Sequence, residues 1–306
     1  MSDSNILLAH LRRLTMVKII LYILLLSVLG IIAFFILLNS ILHRIFHHSP
    51  VENKRTPDEV GLAYNEIFIE TVHHKKLQMF EVPAQNQGKV VFLCVHGWAN
   101  TVDNFLEIAA RLVKMGSVYL LNTRNHGKSA RENSMTILKY ETDIRHAIDY
   151  IEKKFGENIK IILLGHSLGG AAALLTASDD KRVAGVVSIS TFSDMEKILR
   201  QGFVKSSLPE WFINGLLTYI EFRIGRTLKH VSPAWIINKL DVPVLLIHGT
   251  KDEVVDYMEM EKIFKEAKKK QAEKFVAKGH NHSSLLKDEN VAIAIESFIK
   301  KQFLNK

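Results

Sequence analysis

Gly165-His166-Ser167-Leu168-Gly169-Gly170 follows directly on the apolar run Ile159-Lys160-Ile161-Ile162-Leu163-Leu164 and leads directly into Ala171-Ala172-Ala173-Leu174-Leu175. The first run reads as a buried strand and the second as a helix, so the chain turns from strand to helix at Ser167. A side chain at such a turn is lifted off the sheet edge, and the new helix aims its unsatisfied N–H groups at the same spot. Both are what a serine nucleophile needs. The glycines two residues before and after the serine have a steric role, because a Cβ there would meet adjacent backbone. Alone, the letters G-x-S-x-G are a weak signal, and a glycine-rich turn closing an αβ unit would use them too. The strand before and the helix after give them weight.

Outward from this turn the same alternation repeats. Ile67-Phe68-Ile69 and Leu77 to Val82 alternate like half-exposed antiparallel strands. Continuous apolar strands follow at Val90 to Val95, Val118 to Leu121, Ile159 to Leu164, Val183 to Ser188, Val244 to Ile247 and Phe275 to Ala277. Helical patterns fall near Val102 to Lys114, Ile137 to Lys154, Leu168 to Ala177, Tyr257 to Lys270 and Val291 to Gln302. The fold class is therefore α/β, a mostly parallel sheet with helices on both faces. Ligands in this architecture bind outside the carboxyl ends of the strands.

Four strand ends carry residues of interest. At the first, His96-Gly97-Trp98-Ala99, the loop offers a backbone donor. Attack by a serine on a carbonyl makes an oxyanion, which two fixed N–H groups stabilise; Leu168 supplies one and Trp98 the other. His96 itself reads as a structural hydrogen bonder, and His96-Gly97 as a bare turn is the competing account. At the second, Asn122 to Ser129, Arg124 and His126 sit at a sharp glycine turn and read as loop ties. The third is His248-Gly249-Thr250-Lys251-Asp252 and the fourth Lys278-Gly279-His280-Asn281-His282.

A serine hydroxyl is a poor nucleophile until a histidine takes its proton, and that imidazole needs a carboxylate to fix its tautomer. Asp252 and His280 supply both, in the chain order Ser, Asp, His. Glu253 and Asp256 are alternative acids. His282 competes as the base; His280 is preferred because it lies two residues nearer the strand. A metal at His280-x-His282 would need further ligands that the sequence does not offer, and the pairs His47-His48 and His73-His74 read as exposed linker and strand residues.

At this point the sequence resembles the α/β-hydrolase family, from about Tyr64 to Phe303. The resemblance rests on His96-Gly97-Trp98, Arg124 to Ser129, Gly165 to Gly170, His248 to Asp252 and Gly279-His280, in family order. It implies a fold of about eight strands, a Ser167-Asp252-His280 triad, an oxyanion hole at Trp98 and Leu168, and no cofactor or metal. The Arg-Asn-His-Gly turn is similar to that of the family's small esterases and thioesterases. The aspartate-nucleophile branches, epoxide hydrolases and haloalkane dehalogenases, are disfavoured because position 167 is serine.

The 306 residues suffice for one large domain with additions. A formal charge of +8 could suggest nucleic acid. However, Arg12, Arg13, Lys18 and Arg44 flank an apolar segment, and Lys265, Lys268, Lys269, Lys270 and Lys274 alternate with Glu261, Glu266 and Glu273 as on a solvated helix face. No phosphate loop, zinc spacing or aromatic-basic stacking pattern is present, so no nucleic-acid partner is expected. Cys94 is the only cysteine, which excludes an intrachain disulfide.

From Ile19 to Leu42 there is no charged residue. This exceeds the about 20 residues that cross a bilayer, and no small-residue cleavage site follows, so it reads as an uncleaved anchor. The division expected is a tail over 1–18, an anchor over 19–42, a polar linker over 43–63 and the hydrolase-like domain over 64–306. Arg12, Arg13 and Lys18 on one side nearly balance Arg44, Lys54 and Arg55 on the other, and the reading adopted places the large domain outside the cytoplasm. A helical insertion at about 192–238 lies where the family commonly places a lid. Its Phe203, Val204, Leu208, Trp211, Phe212, Leu216, Leu217, Tyr219, Ile220 and Phe222 exceed what a surface helix pair requires. Packing over the site would make an apolar pocket suited to an acyl chain; packing onto the sheet is the alternative. The expected activity is hydrolysis of esters or thioesters with an apolar acyl group, with acyl transfer on the same triad and a low-turnover binding or receptor protein as the competing readings.

Overall fold

In the computed structural model, residues 3–85, 90–203, 208–268 and 270–305 are described. Eight segments form one sheet: β1 (Asn65–Glu70), β2 (Lys76–Val82), β3 (Val90–Val95), β4 (Ser117–Leu121), β5 (Lys160–His166), β6 (Val183–Ile189), β7 (Val244–Gly249) and β8 (Ala272–Ala277). Their spatial order is β1-β2-β4-β3-β5-β6-β7-β8. The pairs β1/β2 and β2/β4 are antiparallel and the others parallel. The parallel strands β3, β5, β6 and β7 are buried along nearly their whole length. Helices covering both faces of a parallel sheet require such continuously apolar strands.

One expectation is corrected in β2. Leu77 to Val82 is buried throughout rather than half-exposed, because the chain at Asn122 to Lys128 and the side chain of Lys154 lie over its polar residues: Asn122 and the Lys128 N–H donate to Gln78 at 2.9 and 2.7 Å, and Lys154 pairs with Glu81. The polar residues that produced the alternation are buried with partners: Glu81 accepts from the Tyr119 hydroxyl at 2.9 Å, and the Gln78 amide donates to Glu66 at 2.6 Å. Alternation here marks satisfied buried polar groups rather than a wet face.

Between the strands run α2 (Leu106–Leu112), α3 (Ile137–Phe155), α4 (Leu168–Asp179) and α8 (Met258–Glu266), and α9 (Glu289–Ile299) follows β8. The insertion between β6 and β7 is helical, with α5 (Met195–Phe203), α6 (Glu210–Ile224) and the short α7 (Pro233–Ile236). Phe203, Leu216, Leu217 and Ile220 are buried, whereas Trp211 and Phe222 are 74% and 79% exposed. The expected apolar excess is thus divided between packing and surface. Val204 lies outside the described residues, as does Lys269 of the basic run.

The chain divides into two units, residues 1–46 and residues 47–306. Its helix α1 (Asp3–Phe46) runs through the expected tail, anchor and first linker residues without a break. Its segment Ile6–Phe46 is long and apolar enough to cross a membrane, and its apolar side chains from Ile19 to Leu37 are exposed. At 1.5 Å per residue the 24 residues from 19 to 42 rise roughly 36 Å, which exceeds a hydrocarbon core of about 30 Å.

The next segment is not a free link. Val51 donates to the Asn125 carbonyl at 3.2 Å and accepts from the Gly127 N–H at 2.7 Å, and the Lys54 N–H meets Asp103 at 3.1 Å. Arg55 pairs with Glu107 at 2.7 Å. Residues 47–55 therefore form a strap bound to the β4–α3 loop and to the region around α2.

Candidate active site

The turn after β5 holds Ser167 at φ 53° and ψ −118°, a strained conformation for a residue with a side chain. The neighbouring backbone over-determines it. A Cβ on Gly165 would run into the backbone of Gly169 and Gly170, and one on Gly169 would run into the carbonyls of Val95 and His96. The second clash shows how closely the start of α4 approaches the end of β3. A Cβ on Gly97 would lie 3.0 Å from that of Ser167, so the loop after β3 sits against the serine. Among the described residues, no acceptor is hydrogen-bonded to the N–H of Trp98 or to that of Leu168.

Asp252 follows β7 with its side chain fully buried. Its Oδ1 accepts the N–H groups of Val254 and Val255 at 2.9 and 2.8 Å. Its Oδ2 accepts from His282 Nδ1 at 2.7 Å, and His248 Nε2, 3.1 Å from the same oxygen, shares its proton with the Val255 carbonyl at 2.9 Å. Burial alone would raise the pKa of Asp252, but the hydrogen bonds from His248 and His282 prevail and hold it well below the usual carboxylate range.

The histidine on this carboxylate is His282, and this corrects the expected pairing. His280 turns its Nε2 to Asp288 Oδ2 at 2.5 Å, with Nδ1 3.3 Å from Ser284 Oγ. The reason lies in the backbone. The His280 carbonyl is bound by the Lys251 N–H at 2.9 Å, and a Cβ on Gly249 would collide with it, so the chain at position 280 lies flat against the β7 loop. Its side chain is directed to the cap of α9, and only two residues later does a ring turn back to Asp252. The fallback acids do not enter: among the described residues, neither Glu253 nor Asp256 is paired with either histidine.

His166, inside the G-x-S-x-G pattern, was not singled out from the sequence. Its Nε2 lies 2.7 Å from the His282 carbonyl and its ring 4.7 Å from that of His282. Burial, with His282 nearby, pushes its pKa down to about 3, so the ring is neutral and Nε2 carries the proton that the carbonyl accepts. The residue before the serine thereby tethers the histidine loop to the serine turn. His248, which shares Asp252, is a second positioning group; its place at a strand end was the only sequence signal.

Arg124 and His126 act as loop ties. Arg124 donates to Asp143 from its backbone N–H and from Nε, both at 2.9 Å, and reaches Glu132 at 3.2 Å. His126 packs its ring 4.1 Å from that of His96. The reading of His47-His48 as exposed linker holds only for His47; the His48 ring is half-buried, 4.8 Å from Trp98.

Residues 90–217 match the family model described as the alpha/beta hydrolase fold. The chain is 26% identical over 263 residues to an uncharacterized membrane protein of Saccharomyces cerevisiae, covering 81% of this chain and 84% of that one. It is 30% identical over 116 residues to the esterase YbfF of Escherichia coli, covering 37% of this chain and 44% of that one. Among solved structures, an esterase of Pyrococcus furiosus superposes with a TM-score of 0.67 at 21% identity, covering 84% of this chain and 98% of that one. At that identity the likeness speaks for the fold alone. The esterase-like relatives support hydrolase function. With its eight-stranded, mostly parallel sheet and the strained serine turn after β5, the chain has the α/β-hydrolase fold.

Proposed function

We propose that this protein is a serine hydrolase of carboxylic esters or thioesters with Ser167 as nucleophile, His282 as general base and Asp252 as its orienting acid. The observation that carries this reading is the buried Asp252–His282 pair, tethered through His166 to a serine in nucleophile-elbow geometry. With Nδ1–H committed to Asp252, His282 keeps the Nε2 lone pair for the serine proton. Ser167 Oγ attacks the acyl carbon while Nε2 takes its proton, and the oxyanion is held by the N–H groups of Trp98 and Leu168. Collapse expels the alcohol or thiol, which leaves with the proton from His282. Water, deprotonated by the same nitrogen, then releases the acyl group as a carboxylic acid and restores Ser167.

The span within α1 would anchor the enzyme in a membrane, and the partly apolar insertion would favour an apolar acyl group. A fluorophosphonate probe tests the core of the proposal: wild type labels and Ser167→Ala does not. Absence of labelling on folded wild-type protein rules against catalysis. Rates on p-nitrophenyl esters of rising chain length test the acyl preference, and acetate turning over faster than octanoate would remove it. Protease protection in sealed vesicles assigns the side of the membrane.

A further inference from the structure

The N–H of Trp98 belongs to the same peptide as the carbonyl of Gly97. In a planar trans peptide the two point in opposite directions, so whatever grips the carbonyl aims the N–H. Two buried side chains grip it. His96 Nδ1 lies 2.8 Å from Gly97 O, and the Tyr140 hydroxyl donates to the same oxygen at 3.1 Å. His96 can donate from Nδ1 because its Nε2 is the acceptor of the Thr123 N–H at 3.1 Å. Tyr140 has an alternative partner, His126 Nε2 at 3.3 Å. That nitrogen is a lone pair, since His126 Nδ1 faces the Arg124 carbonyl at 2.7 Å and must carry the proton. The single Tyr140 proton is thus placed between Gly97 and His126, and the position of the His126 ring decides how it is shared.

The strap acts on both ends of this arrangement. The His48 ring packs edge-on against Trp98 at 4.8 Å and lies 4.5 Å from the His126 ring. Its backbone neighbourhood is fixed by a parallel bridge between Val51 and His126. We infer that the strap is part of the catalytic unit: His48 and Tyr140 are positioning residues that hold the Gly97–Trp98 peptide so that the Trp98 N–H faces the developing oxyanion. This rests on the hydrolase reading above. It assigns a function to a segment that the sequence presents as a linker, and to a tyrosine on α3 that no serine-hydrolase pattern in the chain contains.

The test uses the full-length chain in detergent micelles with p-nitrophenyl butyrate as substrate and an alkyl trifluoromethyl ketone as a probe whose serine adduct carries the oxyanion. Losing one oxyanion donor outright costs about 100- to 1,000-fold in kcat, so misaiming it should cost about 10- to 100-fold. Tyr140→Phe is expected to lower kcat in that range with KM nearly unchanged, and to weaken the ketone by the same factor. His48→Ala should lose about tenfold in kcat, and His48→Phe, which restores a ring against Trp98, should recover most of it. A merely structural role would lower thermal stability without this parallel loss of kcat and ketone affinity. Should His48→Ala fail to fold, Tyr140→Phe, which keeps the ring, decides alone. Wild type that labels and turns over while Tyr140→Phe matches it in kcat and ketone affinity overturns this inference and leaves the hydrolase reading intact. Wild type that neither labels nor turns over overturns both.

Discussion

Asp252 Oδ2 and His282 Nδ1 stand 2.7 Å apart, while His280, two residues earlier in the same loop, gives its Nε2 to Asp288. Two histidines on two carboxylates divide the loop into a part that faces the serine turn and a part that fastens the loop to α9.

That division makes the two histidines separable by mutation. His282→Ala should lower kcat by about 10⁴-fold or more, since a triad stripped of its base retains only binding and oxyanion stabilisation. His280→Ala should leave kcat within a few-fold and cost about 1 kcal/mol or less, because its partner Asp288 still caps α9 through the N–H groups of Asn290 and Val291. Steady-state kinetics on one soluble ester decides, and a reversed ranking returns the base to His280.

Asp252→Asn should keep the fold and lose about 10⁴-fold in kcat. The amide that replaces the carboxylate can accept on one side only, yet Val254 and Val255 donate to one oxygen and His282 to the other. An NH₂ turned toward His282 would force the opposite tautomer and put a proton on the nitrogen meant to take one from Ser167. Circular dichroism unchanged from wild type, with kcat also unchanged, would show that Asp252 does not orient the base.

The architecture was readable because its signals are local. Burial on both faces makes β3, β5, β6 and β7 continuous apolar runs, and the serine turn is defined by immediate neighbours. Failures came where one residue's meaning depends on distant ones. Gln78 and Glu81 imitate a wet strand face, and only their distant partners Asn122, Lys128 and Lys154 show their burial. The choice between His280 and His282 turns on the backbone bond between Lys251 and His280, formed across two loops. The strap at residues 47–55 has a linker's composition, and its attachments at Asn125, Gly127, Asp103 and Glu107 lie about 50 to 80 residues away.

Buried neutral histidines predict the acid limb of stability. Burial, the largest cause in each case, pushes His96 down to about 4 and His166 down to about 3. An unfolded chain takes up protons at these rings near pH 6.5, and the folded one does not. Stability is therefore full above about pH 6.5 and falls as the pH drops, by up to about 1.4 kcal/mol per unit for each ring, until the folded values are reached. Asp252, depressed in the folded state, contributes stability that is present above its ordinary carboxylate pKa and is lost only below about pH 3.9. Denaturant midpoints of the full-length chain should be level from pH 8 to 7 and decline steeply from 6 to 4. A midpoint that holds or rises over that interval contradicts the assignment.

The buried pair Arg124–Asp143 makes the complementary case, in which acid should relieve a defect. Arg124 is 3% exposed and Asp143 fully buried, and the guanidinium and backbone N–H of Arg124 supply the charge-assisted bonds at Asp143, with the Thr71 hydroxyl at 3.2 Å. Arg124→Met strands the carboxylate, which should cost about 3 to 5 kcal/mol at pH 7.5. For a unit of this size that lowers Tm by roughly 6 to 20 °C. Burial already pushes the Asp143 pKa up even with Arg124 in place, and removing the cation raises it further. The variant can then take up a proton at Asp143 at mildly acidic pH, so the gap between wild type and Arg124→Met should narrow as the pH falls. In Arg124→Met/Asp143→Leu the stranded charge is gone, and the double variant should be more stable than Arg124→Met alone. Thermal denaturation of the three proteins at pH 7.5 and 5.5 checks both expectations. A gap independent of pH, together with a double variant no better than the single one, would mean that Arg124 contributes packing rather than charge.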